Sequence, residues 1–433
     1  RNPVARLEIG DEAMAKRADV QIQPSCEDDF EPALLPVEVA LERIAAMVEP
    51  LSEIEKMPLR EALGRVLAED LRSPVDVPNH TNAAMDGFAV RAADLSRQTL
   101  TVIGTAWAGR TFDGAIEPGQ CVRIMTGAVM PNHSDTVIMQ EQVERDGDTV
   151  RVAPGQKPGQ HVRHAGEDFT AGSVALSGGQ RLFPAEIGMV ASLGISELGV
   201  LRKPRVAFFS NGDELRPISE PLALGEVYDS NRYTLYGMLT RAGAELIDLG
   251  VVPDDRARLQ DTLEHAAAVA DFVITSAGAS VGDADYVYEI LSQIGEVGFW
   301  KIAMKPGRPL AVGKIGPALF FGLPGNPVSV MVTFYQFVLP ALRKLAGEQT
   351  ISSFRCSARV THPLKKKPGR TEFQRGFLSL DDHGELTVKN TGEQGSGILS
   401  SMNRANCFVI LPADSDGADI GDVVTVEPFA GLI

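Results

Sequence analysis

The sequence predicts a multidomain protein of α/β and β class, and three observations carry that expectation. The first is length: 433 residues exceed what one hydrophobic core organises, so several modules of about 100–150 residues are expected. The second is a central region, 202–349, where buried-strand runs alternate with helical patterns: "RVAFFS", "RYTLYGMLTRAG", "AELIDLG", "DDRARLQDTLEHAAAVA", "DFVITS" and "PALFFG". That alternation marks βαβ units around a mainly parallel sheet. The third is a pair of flanking regions, 76–165 and 350–433, with short β-rich runs separated by Gly, Pro and Asp-Gly turns.

Taken in order, residues 1–33 are polar, contain "PSCEDDFEP", and read as a mobile N-terminal extension. "VEVALERIAAMV" (37–48) repeats apolar residues at helical intervals, and "LREALGRVLAEDL" (59–71) is expected to repeat the idea. "RSPVDVPNHTNAAMDGFAV" then breaks the pattern with prolines. With "LFPAEIGMVASLGI" (182–195), another helical run, these pieces make a discontinuous linking or dimerisation domain over 34–75 and 166–201. Between them, "TLTVIGTA", "CVRIMTG", "DTVIMQEQV" and "DTVRVA" build a β-rich inserted domain, 76–165. The α/β domain, 202–349, closes on the helix "PVSVMVTFYQFVLPALRKL", with Pro327 suited to its first turn. "FRCSARV", "ELTVKN", "CFVILP" and "VVTVEP" then make a C-terminal β-barrel or sandwich, 350–433.

Composition narrows the function classes. Hydrophobic content of 44% and charged content of 23% are globular values, and no window approaches the roughly 18 apolar residues of a membrane span. A formal charge of −16 argues against nucleic acid or an anionic membrane as partner. Cys26, Cys121, Cys356 and Cys407 lie far apart, without CxxC or Cys/His spacing, so neither zinc nor a disulfide framework is expected. A reducing cytoplasm is the natural setting, and no charged-then-apolar leader opens the chain. GxSxG, a Cys–His pair and GxGxxG are all missing, so nothing points to covalent catalysis or a dinucleotide.

In parallel sheets ligands sit at the C-terminal ends of strands, and three glycine- or acid-rich loops fall there: "SNGDEL", "SAGASVGDADY" and "GLPGNP". In the last, Gly322 and Gly325 are expected to bend the backbone and Pro324 and Pro327 to stiffen it, so that successive N–H groups face an anion. "FWKIAMKPGRPLAVG" concentrates Lys301, Lys305 and Arg308 on an otherwise acidic chain and would focus a local positive field. Carboxylates crowd the same region: Asp213, Glu214, Asp254, Asp255, Asp283 and Asp285. Two unit charges 4 Å apart repel by roughly 4 kcal/mol at an effective dielectric near 20, so gathering several requires a cation. Magnesium suits oxygen ligands and substrate phosphates. Asp255 equally suits the N-cap of the helix it precedes, and Asp86 a tight turn in "TNAAMDGFAV".

Together, "NAAMDGFAV", "RIMTGAVMP", "GEDF", "NGDEL", "YDSNRY", "GASVGDADY", "KPGRPLAVG", "GLPGNPVS", "GRTEFQRG" and "GSGILSSM" resemble the molybdopterin molybdenumtransferase, or molybdenum insertase, family. The likeness runs from about residue 34 to the C-terminus and extends to the gephyrin C-terminal domain. It implies a central domain of molybdopterin-binding type in a cytoplasmic homodimer that completes molybdenum cofactor synthesis. Molybdenum from molybdate would enter adenylylated molybdopterin, with magnesium-assisted release of AMP. The implied catalytic residues are Asp86, Thr126, Asp168, Glu214, Asp285, Lys301 and Lys305, with Glu214, Asp254 and Asp285 at the metal. The implied substrate-binding set is Ser280, Arg308, Pro324, Asn326, Pro327, Ser329, Arg375 and Ser401. Asp86 and Thr126 would serve the site of the other protomer. Replacing Arg375 is expected to abolish molybdate binding with the folding midpoint nearly unchanged. The implied partners are a molybdopterin adenylyltransferase and molybdoenzyme maturation proteins. Two other activities stay open, a molybdopterin adenylyltransferase and a non-catalytic gephyrin-like scaffold. Four positions depart from the family pattern: Ala277 stands for a glycine, Arg308 for a lysine, Asn211 for a threonine and Phe88 for a tyrosine.

Overall fold

The computed structural model describes residues 34–277, 286–349 and 353–431. The chain forms two compact units, one from Arg1–Glu53 with Leu201–Ile433 and one from Ile54–Val200.

The first unit is organised by a six-stranded sheet in the order Glu245–Val252, Arg205–Asn211, Phe272–Ser276, Ala318–Leu323, Pro309–Ile315, Glu296–Lys301. The first four strands are parallel, and the last two pair antiparallel at one side. The middle strands are apolar up to their C-terminal ends because both faces are covered. Val206, Phe208, Phe272, Ile274 and Phe321 pack with Leu235, Leu239 and Val328 of helices Ser230–Ala242 and Pro327–Thr333. Ala207, Phe209, Val273 and Phe320 face the other way, against Leu259 and Leu263 of Arg256–Val269 and Ile290 of Tyr286–Ile294. Helix Val37–Met47 adds Val37, Ala40 and Ile44 to the first layer.

The caps follow the sequence. Asp229 and Asp255 occupy N-caps and accept from the Arg232 and Arg258 N–H groups, and Gly243 closes the first helix in the left-handed conformation. Helical structure runs from Pro327 to Leu345 with a π turn at Phe334–Val338. The π turn precedes Pro340, whose missing N–H and bulky ring a regular α turn would not accommodate.

The C-terminal module resolves the choice between barrel and sandwich. Strands Thr371–Leu380, Leu386–Asn390, Cys356–Val360, Val423–Pro428 and Cys407–Leu411 are neighbours in that order, and the last pairs back with the first, closing a five-stranded barrel. Val388, Val409 and Val426 fill it.

The second unit holds a six-stranded sheet, in the order Thr136–Met139, Gly87–Val90, Gln120–Ile124, Thr99–Ala106, Thr149–Val152, Val143–Asp146. Around it are short strand pairs and the helix Pro184–Ser192. Here one expectation fails. Residues 59–71 are not a helix: a single 3-10 turn, Leu59–Ala62, is followed by Gly64 at φ +77° and then by extended chain. Leu67 donates to the Gln180 carbonyl and Ala68 to that of Gly199, and Leu182 donates to the Arg65 carbonyl. Apolar spacing compatible with a helix is thus overruled by pairing with residues more than 100 positions on, and the glycine turn permits it.

Candidate functional site

In the first unit the parallel strands end in small polar residues where their neighbours are apolar. Ser210, Thr275 and Ser276 are fully buried or nearly so, and Asn211 is buried beside them. They form a ladder across the strand ends. Ser276 Oγ donates to Ser210 Oγ (2.9 Å), which donates to Asp229 Oδ1 (3.0 Å). Asp229 in turn accepts from Arg232 Nε, and Arg232 bridges to Asp248. In a second branch Thr275 Oγ1 donates to Asn211 Oδ1 (3.2 Å), and Asn211 Nδ2 donates to Asp254 Oδ1 (3.1 Å). The Asp254 N–H donates to Asp213 Oδ1 (3.2 Å), so the loops after the first two parallel strands meet through the backbone of one and the carboxylate of the other.

The turn itself explains Gly212. Its φ is +147°, and a Cβ there would lie 2.6 Å from Glu214 Oε2, because the Glu214 carboxylate folds back over the turn. Asp213, Glu214 and Asp254 are exposed above the buried ladder.

The other two loops reach the same edge. The Ala277 N–H donates to the Leu323 carbonyl, and the Gly325 carbonyl accepts from Asn231 Nδ2 at 2.7 Å. Gly322 does not bend the chain as expected: it continues the buried strand Ala318–Leu323, opposite Ala311. The turn begins only at Pro324, and Asn326 is the N-cap of the helix that Pro327 opens. Ser329 lies buried in its first turn, while its carbonyl accepts from Thr333 Oγ1. The Val328 N–H is engaged by the Ser396 carbonyl, so the row of N–H groups facing an anion is shorter than the sequence suggests.

Lys301 ends the outer strand and Arg308 stands just before Pro309, both at the same edge because that outer strand runs parallel to the central ones. Lys305 Nζ pairs with Glu372 Oε1 at 3.1 Å, where a short strand, Met304–Lys305, joins the barrel strand Thr371–Leu380. Further along that barrel strand, Arg375 lies on the opposite face from Glu372, by strand alternation.

Arg375 and Ser401 are brought together: Arg375 Nε donates to Ser401 Oγ (3.0 Å), whose own hydroxyl donates to the Ile398 carbonyl. Arg375 is 1% exposed, also donates to the Gly395 carbonyl, and burial lowers its pKa to about 10. A side chain so enclosed carries packing as well as charge, so burial argues that its removal costs stability, against the expectation of an unchanged midpoint.

In the second unit Asp86 and Thr126 form a pair. Asp86 Oδ1 accepts from both the N–H and the hydroxyl of Thr126, each at 2.7 Å. These bonds, with a smaller contribution from the Arg123 charge, hold the Asp86 carboxyl below its ordinary pKa. Asp168 is exposed, and its N–H donates to the Val77 carbonyl. Ser280, Asp283 and Asp285 lie outside the described residues. Burial pushes the thiols of Cys121 and Cys407 up to about 12.

Among the described residues no three His, Cys, Asp or Glu side chains gather into a metal cage. The Asp213–Glu214 and Asp254 loops meet through one hydrogen bond, from a backbone N–H, and leave single exposed carboxylates rather than a cluster. One or two carboxylates are what magnesium takes when water and substrate phosphate complete its shell.

The buried ladder, and the bonds that Asn211 makes within it, escaped the sequence reading. Serine, threonine and asparagine at the ends of apolar runs were the available signal, but the same residues also end ordinary strands.

Comparison with known proteins agrees with this architecture. Residues 35–194 match the family described as MoeA N-terminal region (domain I and II), 207–344 the probable molybdopterin binding domain, and 357–429 the MoeA C-terminal region (domain IV). The chain is 44% identical over 385 residues to a molybdopterin molybdenumtransferase of Haemophilus influenzae, covering 88% of this chain and 95% of the relative. It is 33% identical to gephyrin of Dictyostelium discoideum, covering 90% of this chain and 62% of gephyrin. The crystal structure of the molybdopterin biosynthesis moeA protein from Pyrococcus horikoshii OT3 is similar at 33% identity and a TM-score of 0.79, over 92% of this chain and all of that one. By three consecutive family matches and by relatives aligned along most of its length, the chain belongs to the molybdopterin molybdenumtransferase family.

Proposed function

We propose that this protein is a molybdopterin molybdenumtransferase of molybdenum cofactor biosynthesis, inserting molybdenum from molybdate into adenylylated molybdopterin with release of AMP. The observation that carries the chemistry is the junction of two acidic loops, bonded from Asp254 N–H to Asp213, on a buried polar ladder at the sheet's ligand-binding edge. A phosphate ester lying along that edge would meet carboxylates at one side of the sheet and Lys301 and Arg308 at the other, with Lys305 beyond them against Glu372. Asp254 and Glu214 would hold magnesium, joined by Asp285. Bound there, the ion would neutralise phosphate charge and polarise the phosphoryl group. Asn211 keeps Asp254 from turning away, and the lysines and arginine orient the anionic substrates.

The working species in this reading is a cytoplasmic homodimer, in which Asp86 and Thr126 of one copy serve the other. No helix among the described residues is long and apolar enough to cross a membrane. Sedimentation should show a dimer at micromolar concentration, and mixing Asp86→Ala with Asp254→Ala should restore activity that neither has alone. A fully active monomer rejects the dimer.

The central test is AMP release from adenylylated molybdopterin supplied with molybdate and magnesium. Asp254→Asn keeps shape and the bond from Asn211 but removes the charge, so release should fall roughly 100-fold while the folding midpoint stays put. Wild-type rates in this variant would remove Asp254 from the chemistry.

A further inference from the structure

Glu372 is a buried acid that faces a half-exposed cation. The short strand Met304–Lys305 runs parallel to the start of the barrel strand Thr371–Leu380 and sets Lys305 opposite Glu372. The Thr371 N–H fixes that register on the Ala303 carbonyl at 2.8 Å. The Glu372 side chain is 7% exposed and that of Lys305 49%. Both carboxylate oxygens are engaged: Oε1 accepts from Lys305 Nζ at 3.1 Å, and Oε2 from Gln374 Nε2 at 2.9 Å. Gln374 reaches it because residues two apart on a strand share a face. Gln374 is itself buried, and its Nε2 also donates to the Lys365 carbonyl at 2.9 Å.

An ion pair with an exposed partner ordinarily contributes little, because two long side chains must be ordered together. Here the carboxylate is already fixed from the barrel side, so only the lysine has to be ordered. Its ammonium carries three N–H donors, and the bond to Glu372 occupies one, leaving two for the oxygens of an anion. The same carboxylate acts on two further cations. Burial lowers the pKa of Lys366 and of Arg375, and the Glu372 charge opposes that fall in both.

We propose that Glu372 is a positioning residue: it holds the Lys305 ammonium in place for a tetrahedral oxyanion of the substrate, with Gln374 fixing Glu372 from behind. The inference rests on the reading that Lys305 orients an anionic substrate. A purely structural Glu372 would instead only join the Met304–Lys305 strand to the barrel, and its effects would not depend on the lysine.

Glu372→Asp separates the two, because it keeps the charge and draws the carboxylate back by one methylene. AMP release by the full chain, supplied with adenylylated molybdopterin, molybdate and magnesium, should fall about tenfold in kcat. Lys305→Ala should fall at least as far, and the double variant should be no slower than Lys305→Ala alone, since a residue that acts through another has no effect once that other is gone. Molybdate binding, followed by calorimetry, should show the same pattern: about fivefold weaker in Glu372→Asp, with no further loss when Lys305 is already Ala. If Glu372→Asp does not fold, Gln374→Met loosens the same carboxylate and should show the same dependence on Lys305. Losses that multiply in the double variant overturn the proposal, as does a folded Glu372→Asp with wild-type rate and molybdate affinity. Wild-type behaviour of Lys305→Ala would remove the role of the lysine and the proposal with it, whereas no AMP release by wild type would remove the assigned activity itself.

Discussion

Asp254 in the α/β unit and Asp86 in the inserted unit are both restrained by hydrogen bonds, but at different depths. Asp254 is held by Asn211, which is itself held by buried Thr275 on the next strand. Asp86 is held at the surface by one residue, Thr126, through its N–H and hydroxyl. The first arrangement ties the site to the core, so a fault in the ladder reaches both folding and chemistry. The second sets only the direction and proton affinity of one carboxylate. Depth of support, rather than residue type, therefore decides what a substitution disturbs.

The contrast can be broken most forcefully at Arg375. Its enclosed side chain, bonded to Ser401 and Gly395, predicts that Arg375→Ala loses about 2–4 kcal/mol of stability, read from the denaturant midpoint. A midpoint equal to wild type would show that burial at this position does not carry packing energy.

Asn211→Thr sharpens the comparison. Threonine is shorter than asparagine, and its single hydroxyl cannot span from Thr275 to Asp254 as the two ends of the amide do, so AMP release should fall about tenfold with substrate affinity little altered. Loss of affinity instead of rate would mean that Asn211 contacts substrate directly.

A smaller effect is expected at Ala277, whose φ of +70° is costly for any residue with a Cβ. Ala277→Gly should gain about 1 kcal/mol of stability. No gain would imply that the turn relaxes without glycine.

Thr126→Val is the mildest. Asp86 has a folded pKa below its unfolded one, so its contribution to stability is present above the unfolded value and lost as pH falls through the folded one. Without Thr126 Oγ1 the Asp86 titration, followed by carboxyl NMR, should move up toward the ordinary value near about 3.9 with the fold intact. An unmoved titration would assign the shift to the Thr126 N–H and Arg123.

Much of this was legible in the sequence where one physical pressure dominated. Strands such as Ala318–Leu323 are buried on both faces and read as unbroken apolar runs, and Asp255 was recognisable as a cap because its helix begins at once. Legibility failed where long-range pairing competed with local pattern. Leu59, Leu63, Leu67 and Leu71 look helical, yet Gly64 and the partners at 180–182 and 199 draw the chain into extended pairing. The site was half legible: its exposed acids stand out, but the ladder beneath depends on strand register, which sets Ser210 beside Ser276. Asn211 looked like a departure from a family pattern, and only its bonds to Thr275 and Asp254 show what it does.

The chain leaves the first unit at Glu53 and re-enters it at Leu201, and this has a consequence for synthesis on the ribosome. The Leu35 N–H pairs with the Lys301 carbonyl and the Leu51 N–H with that of Leu345, so the opening helix has no finished seat until nearly 300 more residues have emerged. At about 5–20 residues per second that is a wait of roughly 15–60 s. The contiguous stretch Ile54–Val200 can complete its own contacts in the meantime. The inserted unit is thus positioned to mature first, while the apolar face of Val37, Ala40 and Ile44 waits in the nascent chain as a natural client for holding chaperones.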